Sequence, residues 1–142
     1  MTDLIEVKTA DLAGEALGWA VGKAEGLHVY LEPPGYNGVP WRVFARYRGE
    51  AIEHIKRYNP WEDWELGGPL IDKYNGSTQY HSGLASNVHY SGGPALSGIW
   101  CYGPTALTAF LRSLTFHKSG SIVKIPMNLH IQTTTLPPHR DL

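Results

Sequence analysis

Cysteine occurs once in the 142 residues, at Cys101, which excludes an internal disulfide and any zinc site built from several thiolates. Long apolar runs are missing too. The longest uncharged stretches are rich in Gly, Ser, Thr and Asn, and none approaches the roughly 20 apolar residues that cross a bilayer. Net charge is almost absent at −1, so generic nucleic-acid binding through a broadly basic surface is not expected. The first eight residues lack the basic start and apolar stretch of a secretory signal, and the expected location is the cytoplasm. There is no internal repeat, no Gly-x-Ser-x-Gly elbow, no Walker A loop and no Gly-x-Gly-x-x-Gly turn. The seven histidines, at 28, 54, 81, 89, 117, 130 and 139, form no His-x-His or His-Glu-x-x-His pattern. No metal site, no cofactor and no catalytic set is therefore expected.

What remains is the composition of one ordinary domain. Hydrophobic residues make up 42% and charged residues 18%, enough to bury a real core, while 16 Gly and 10 Pro promise many loops. Charge is distributed in blocks. Residues 1–41 sum to −4, residues 42–57 to +3, residues 58–72 to −4 and residues 73–142 to +4. The second block carries Arg42, Arg46, Arg48, Lys56 and Arg57 against Glu50 and Glu53, and such alternation suits either a mixed soluble surface or a basic arm over an anion.

Leu12, Ala16, Leu17, Ala20, Val21 and Ala24 recur at helical spacing over residues 10–24, with Thr9 or Asp11 available as a cap and Gly26 as a left-handed stop. Short strands are expected at residues 28–32, 41–47, 99–102 and 122–125, separated by Gly and Pro punctuation. Residues 50–58 suit a helical turn or a strand equally. Residues 59–69 look like a turn-forming run that nevertheless carries two tryptophans, and residues 74–98 like a long hairpin or loop. The strongest helix is read over 104–118, from the stripe Ala106, Leu107, Phe110, Leu111 and Leu114, with Pro104 in its first turn and Gly120 beyond its end. The expected fold class is α+β, a small antiparallel sheet packed against two main helices at about 10–25 and 104–118.

Two stretches carry chemistry. At Gly103-Pro104-Thr105 a glycine turn enters a helix, where unpaired backbone N–H groups and the positive end of the macrodipole favour an anion. Arg112 follows two turns later on nearly the same face, suited to a ligand or to a structural bridge to Asp63. In the other stretch Asp63 stands between Trp61 and Trp64, ahead of Gly67 and Gly68. Aromatic faces stack flat rings, and a carboxylate accepts hydrogen bonds from their polar edges, although a core tryptophan and a turn-capping aspartate explain the same letters. Trp100 is either a further aromatic wall or a core strand residue.

Three blocks in order resemble the small NinX-like phage proteins: the 9–26 helix, the run Tyr58-Asn59-Pro60-Trp61-Glu62-Asp63-Trp64-Glu65-Leu66-Gly67-Gly68-Pro69, and Gly103-Pro104-Thr105-Ala106-Leu107 through Arg112 to Pro126. The resemblance covers roughly residues 7–126. Trp61-Glu62 departs from the Ser-Thr common in that family, Ala106 from its usual Pro, and the basic 33–57 segment is unusual. Resemblance to this family implies a phage or prophage origin and action in the host bacterial cytosol during infection. The expected organisation is a single NinX-like domain over 1–126 followed by an extended C-terminal tail over 127–142.

Together these readings put Trp61, Asp63, Trp64, Gly67, Gly68, Trp100, Gly103, Pro104, Thr105 and Arg112 in one cleft for a small anionic ligand. A cyclic or ADP-ribose-type nucleotide, bound and sequestered without turnover by a homo-oligomer, is the expectation. Two alternatives stay open: a nucleotide-cleaving enzyme using the same cleft with Asp63, a histidine or Cys101, and an interaction module presenting Trp41, Trp61 and the 42–57 segment to a host protein.

Overall fold

A computed structural model describes residues 3–49 and 51–134. The elements run β1 (Leu4–Lys8), α1 (Gly14–Ala24), β2 (His28–Glu32), β3 (Arg42–Arg48), β4 (Glu53–Arg57), α2 (Trp64–Lys73), β5 (Ser77–Tyr80), β6 (Tyr90–Gly93), β7 (Cys101–Gly103), α3 (Ala106–Ser119), β8 (Ile122–Pro126) and α4 (Met127–Thr134). The fold is α+β, as the pattern implies. In place of one small sheet there are three antiparallel ones among the described residues, β1–β8, β2–β3–β4 and β5–β6–β7. Their strands are three to seven residues long: β5–β6–β7 covers a helix centre directly, β2–β3–β4 packs on α1, and β1–β8 touches both helices.

That centre is α3. Leu107, Ala109, Phe110, Leu111 and Leu114 are all essentially buried, so this helix is enclosed on most sides and nucleates the core shared with Leu17, Val21, Val29 and Val43. Pro104 lies one residue before the cap. Thr105 is the N-cap, its hydroxyl oxygen accepting from the Thr108 amide at 3.1 Å. Ser113 joins α3 to the β5–β6–β7 sheet, donating to the Gly92 carbonyl and accepting from the Cys101 amide.

The first helix begins later than its apolar stripe suggests. Residues Thr9–Asp11 form one 3-10 turn, the chain extends through Leu12, and α1 starts at Gly14 with φ of +54°, a left-handed entry open to glycine. Thr9 is no helix cap: its hydroxyl donates to the Gly120 carbonyl at 2.6 Å, tying the N-terminal segment to the end of α3. The stop falls as expected, with Leu27 N–H on the Gly22 carbonyl and Gly26 N–H on the Lys23 carbonyl.

The run read as turns at 59–69 is half helix. Asp63 accepts from the Glu65 amide at 2.9 Å and starts α2, which carries Gly67, Gly68 and Pro69 inside it because Leu66, Leu70 and Ile71 pack on the core. Residues 53–57 resolve as a strand, paired through Phe44↔Arg57 and Arg46↔Ile55. The expected tail is helical over Met127–Thr134, with Leu129 1% exposed, so an apolar anchor holds it to the core. The rest of that expected tail lies outside the described residues.

Candidate functional site

The half-polar hollow of about 570 Å³ lies where the 3-10 turn at Thr9–Asp11, the β7 strand and α3 converge. Its walls include Asp11, Trp100, Cys101, Tyr102, Pro104 and Arg112. Arg112 is reached from the second turn of α3, and its guanidinium is fixed by two backbone carbonyls: Nε donates to Leu12 at 2.7 Å and Nη1 to Tyr102 at 2.8 Å. Among the described residues no further acceptor takes the rest of its N–H fork. Burial lowers the Arg112 pKa, and the carboxylate of Asp11 opposes that shift, so the group remains a cation facing the hollow.

Two aromatic rings stand at the rim, Trp100 45% and Tyr102 43% exposed. The Tyr102 ring leans on His81 at 5.5 Å between centroids, and His81 Nε2 shares a 2.6 Å hydrogen bond with the buried Ser91 hydroxyl, which steadies the wall from behind. Gly103 is needed underneath, since a Cβ there would sit 2.9 Å from the Ala109 nitrogen and push β7 off α3.

The other signature stretch lies elsewhere. Trp61 packs on α1, where a Cβ at Gly18 would fall 2.5 Å from its ring, and the Arg57 guanidinium lies 5.6 Å from the ring centroid. Arg57 in turn holds Glu15 through both nitrogens, and Glu15 Oε1 also accepts the Val43 amide at 2.8 Å. Asp63 caps α2, Trp64 is 58% exposed with its ring beside Gly68, and Gly67 is pressed between Pro60 and Leu107.

A family model described as Bacteriophage P22, NinX matches residues 8–114. The chain belongs to this phage family. No curated protein matches it. The match runs from the end of β1 to the middle of α3 and therefore takes in both signature stretches of this NinX-family protein, with Asp11, Trp100, Tyr102 and Arg112.

Of the ten residues expected to share a cleft, the NinX-family protein places Trp100, Pro104 and Arg112 in the walls of the hollow and Gly103 beneath them. Thr105 spends its oxygen on the helix cap, while Trp61, Asp63, Trp64, Gly67 and Gly68 build α2 and its seat. The two stretches touch through Gly67 and Leu107, a packing contact. The carboxylate acting on Arg112 is Asp11 and not Asp63. Asp11 and Tyr102 are among the wall residues that spacing did not select. Tyr102 was within reach of the sequence, next to the Gly-Pro-Thr turn, whereas Asp11 reads only as a helix cap until the chain folds across 100 residues. Among the described residues no group of three or more His, Cys, Asp or Glu side chains is arranged to hold a metal ion, and no helix is long and apolar enough to cross a membrane.

Proposed function

We propose that this NinX-family protein binds a small phosphate-containing nucleotide in the Arg112 cleft and holds it without turnover, removing a host nucleotide signal from circulation during infection. The observation that carries the reading is the anchored Arg112 fork facing a hollow between two exposed aromatic rings. A fixed guanidinium suits a phosphate, and an indole or phenol face suits a flat base, the pairing by which nucleotide sites commonly work. A volume of about 570 Å³ lies within the range of small-molecule sites. Phage context supplies the step from binding to sequestration, and in this reading the protein acts in the host cytosol as a homo-oligomer, the form that soluble assemblies mostly take.

The test is a nucleotide panel. The protein is incubated with it, freed of unbound ligand, denatured, and the released compound identified by mass spectrometry. Intact nucleotide at about one per chain is the expected result, and Trp100→Ala, at an exposed position, is expected to lose it while remaining folded. A chemically altered nucleotide replaces sequestration by catalysis, and a protein that retains nothing overturns the reading.

A further inference from the structure

A second surface, on the far side of the β2–β3–β4 sheet, carries chemistry that the cleft does not use. Val29, Val43 and Ala45 turn inward and are closed against the core with α1, which leaves the alternate residues of β2 and β3 on the outer face. Tyr30 and Phe44 are direct cross-strand partners there, with ring centroids 6.1 Å apart and planes 33° from parallel. Each ring carries an arginine. The Arg46 guanidinium lies 4.8 Å from the Tyr30 centroid and that of Arg42 lies 5.4 Å from Phe44. Ile55, 52% exposed and opposite Arg46, extends the apolar strip onto β4.

We infer that this face is a stacking platform for a single-stranded polynucleotide. Two partly buried rings on adjacent strands each back a guanidinium, so successive bases have flat cation-topped surfaces to stack on, with the same guanidiniums within reach of the connecting phosphates. Charge complementarity agrees in sign, since the 42–57 segment carries +3 in a chain of −1. Arg57 is taken by Glu15, and Glu32 and Glu53 pair across from Arg42 and Arg48, so free positive charge is modest. That modesty distinguishes stacking from duplex binding, which depends on many phosphate contacts, and an acidic peptide brings no flat bases to lie on the guanidinium planes.

The inference is independent of the Arg112 cleft. Fluorescence anisotropy of the full chain with 12-nucleotide oligo-dT and oligo-rU, and with a 12-base-pair duplex, tests it at 50 and 200 mM salt. Single strands are expected to bind at least about ten-fold tighter than the duplex. The salt slope is expected near −1.5 to −2, appropriate to two or three neutralised phosphates on a single strand. Phe44→Leu keeps the bulk and removes the ring; with an unchanged circular dichroism spectrum it is expected to weaken binding about five-fold or more, while retention of nucleotide in the cleft is unaffected. Absence of binding at 50 mM salt overturns the inference. So does a duplex bound as well as the single strand, a Phe44→Leu protein that binds unchanged, or displacement of the oligonucleotide by polyglutamate of equal charge.

Discussion

Gly67 and Gly68 are neighbours in one helix, yet the same substitution is expected to cost far more at the first than at the second. Both lie inside α2 at negative φ, so alanine at either gains about 1 kcal/mol of helix propensity. At Gly68 the added methyl meets the Trp64 ring at an ordinary 3.5 Å, but it also crowds the ring of the next residue, Pro69, which disfavours helical backbone at a preceding residue that carries a Cβ. The two effects offset each other, and Gly68→Ala is expected to lie within about 0.5 kcal/mol of the parent protein. At Gly67 the methyl falls 2.4 Å from the Pro60 carbonyl oxygen and 2.8 Å from Leu107 Cδ2. One obstacle is backbone and the other is a side chain fixed in the core, so α2 must shift and overpacking costs about 3 kcal/mol, leaving a net loss of about 2 kcal/mol. Urea denaturation midpoints at constant m-value measure both, and the corresponding melting temperatures are expected to separate by about 6–8 °C. Two variants that lose equal stability would refute the assignment of Gly67 to packing.

Other perturbations follow from the same contacts. Burial, with help from Tyr47 and Glu25, raises the Tyr58 pKa far above 10.0, so the unfolded chain releases this proton first. Stability present below pH 10 therefore declines as pH rises beyond it, by about 1.4 kcal/mol per unit for this one group, and Tyr58→Phe is expected to flatten the decline in denaturation midpoints taken at pH 8 to 11. Glu15→Gln breaks the two-point grip on Arg57 and weakens acceptance of the Val43 amide; a loss of about 1–2 kcal/mol by urea denaturation is expected, and an unchanged midpoint would show the pair to be idle. Thr105→Ala removes the α3 cap at a cost of about 1 kcal/mol, and Thr105→Ser is expected to restore most of it in the same assay.

The long helix was legible because all its information is local: five apolar residues at 3.6 spacing, a proline at its start and a closing glycine. Residues 59–69 were not, because Gly67, Gly68 and Pro69 each disfavour a helix by propensity and α2 forms only where Leu66, Leu70 and Ile71 gain burial against elements distant in sequence. Division of the strands into three sheets was equally invisible, since β1 pairs with β8 across more than 100 residues and the letters of Leu4–Lys8 name no partner. At the candidate site the glycine turn, Trp100 and Arg112 announced themselves, while the exclusion of Asp63 did not. Aromatic and acidic letters suit a binding wall and a packed helix start alike, and only the position of Trp61 against Gly18 separates the two.

Arg112 also acts as a mechanical joint. Through one side chain it grips the Leu12 carbonyl near the start of the fold and the Tyr102 carbonyl on a late strand, spanning 100 positions to the first. A guest drawing on the same guanidinium would thereby tighten the seam between those two segments. Affinity and rigidity become a single adjustable property, and neither can be altered by changing this residue without disturbing the other.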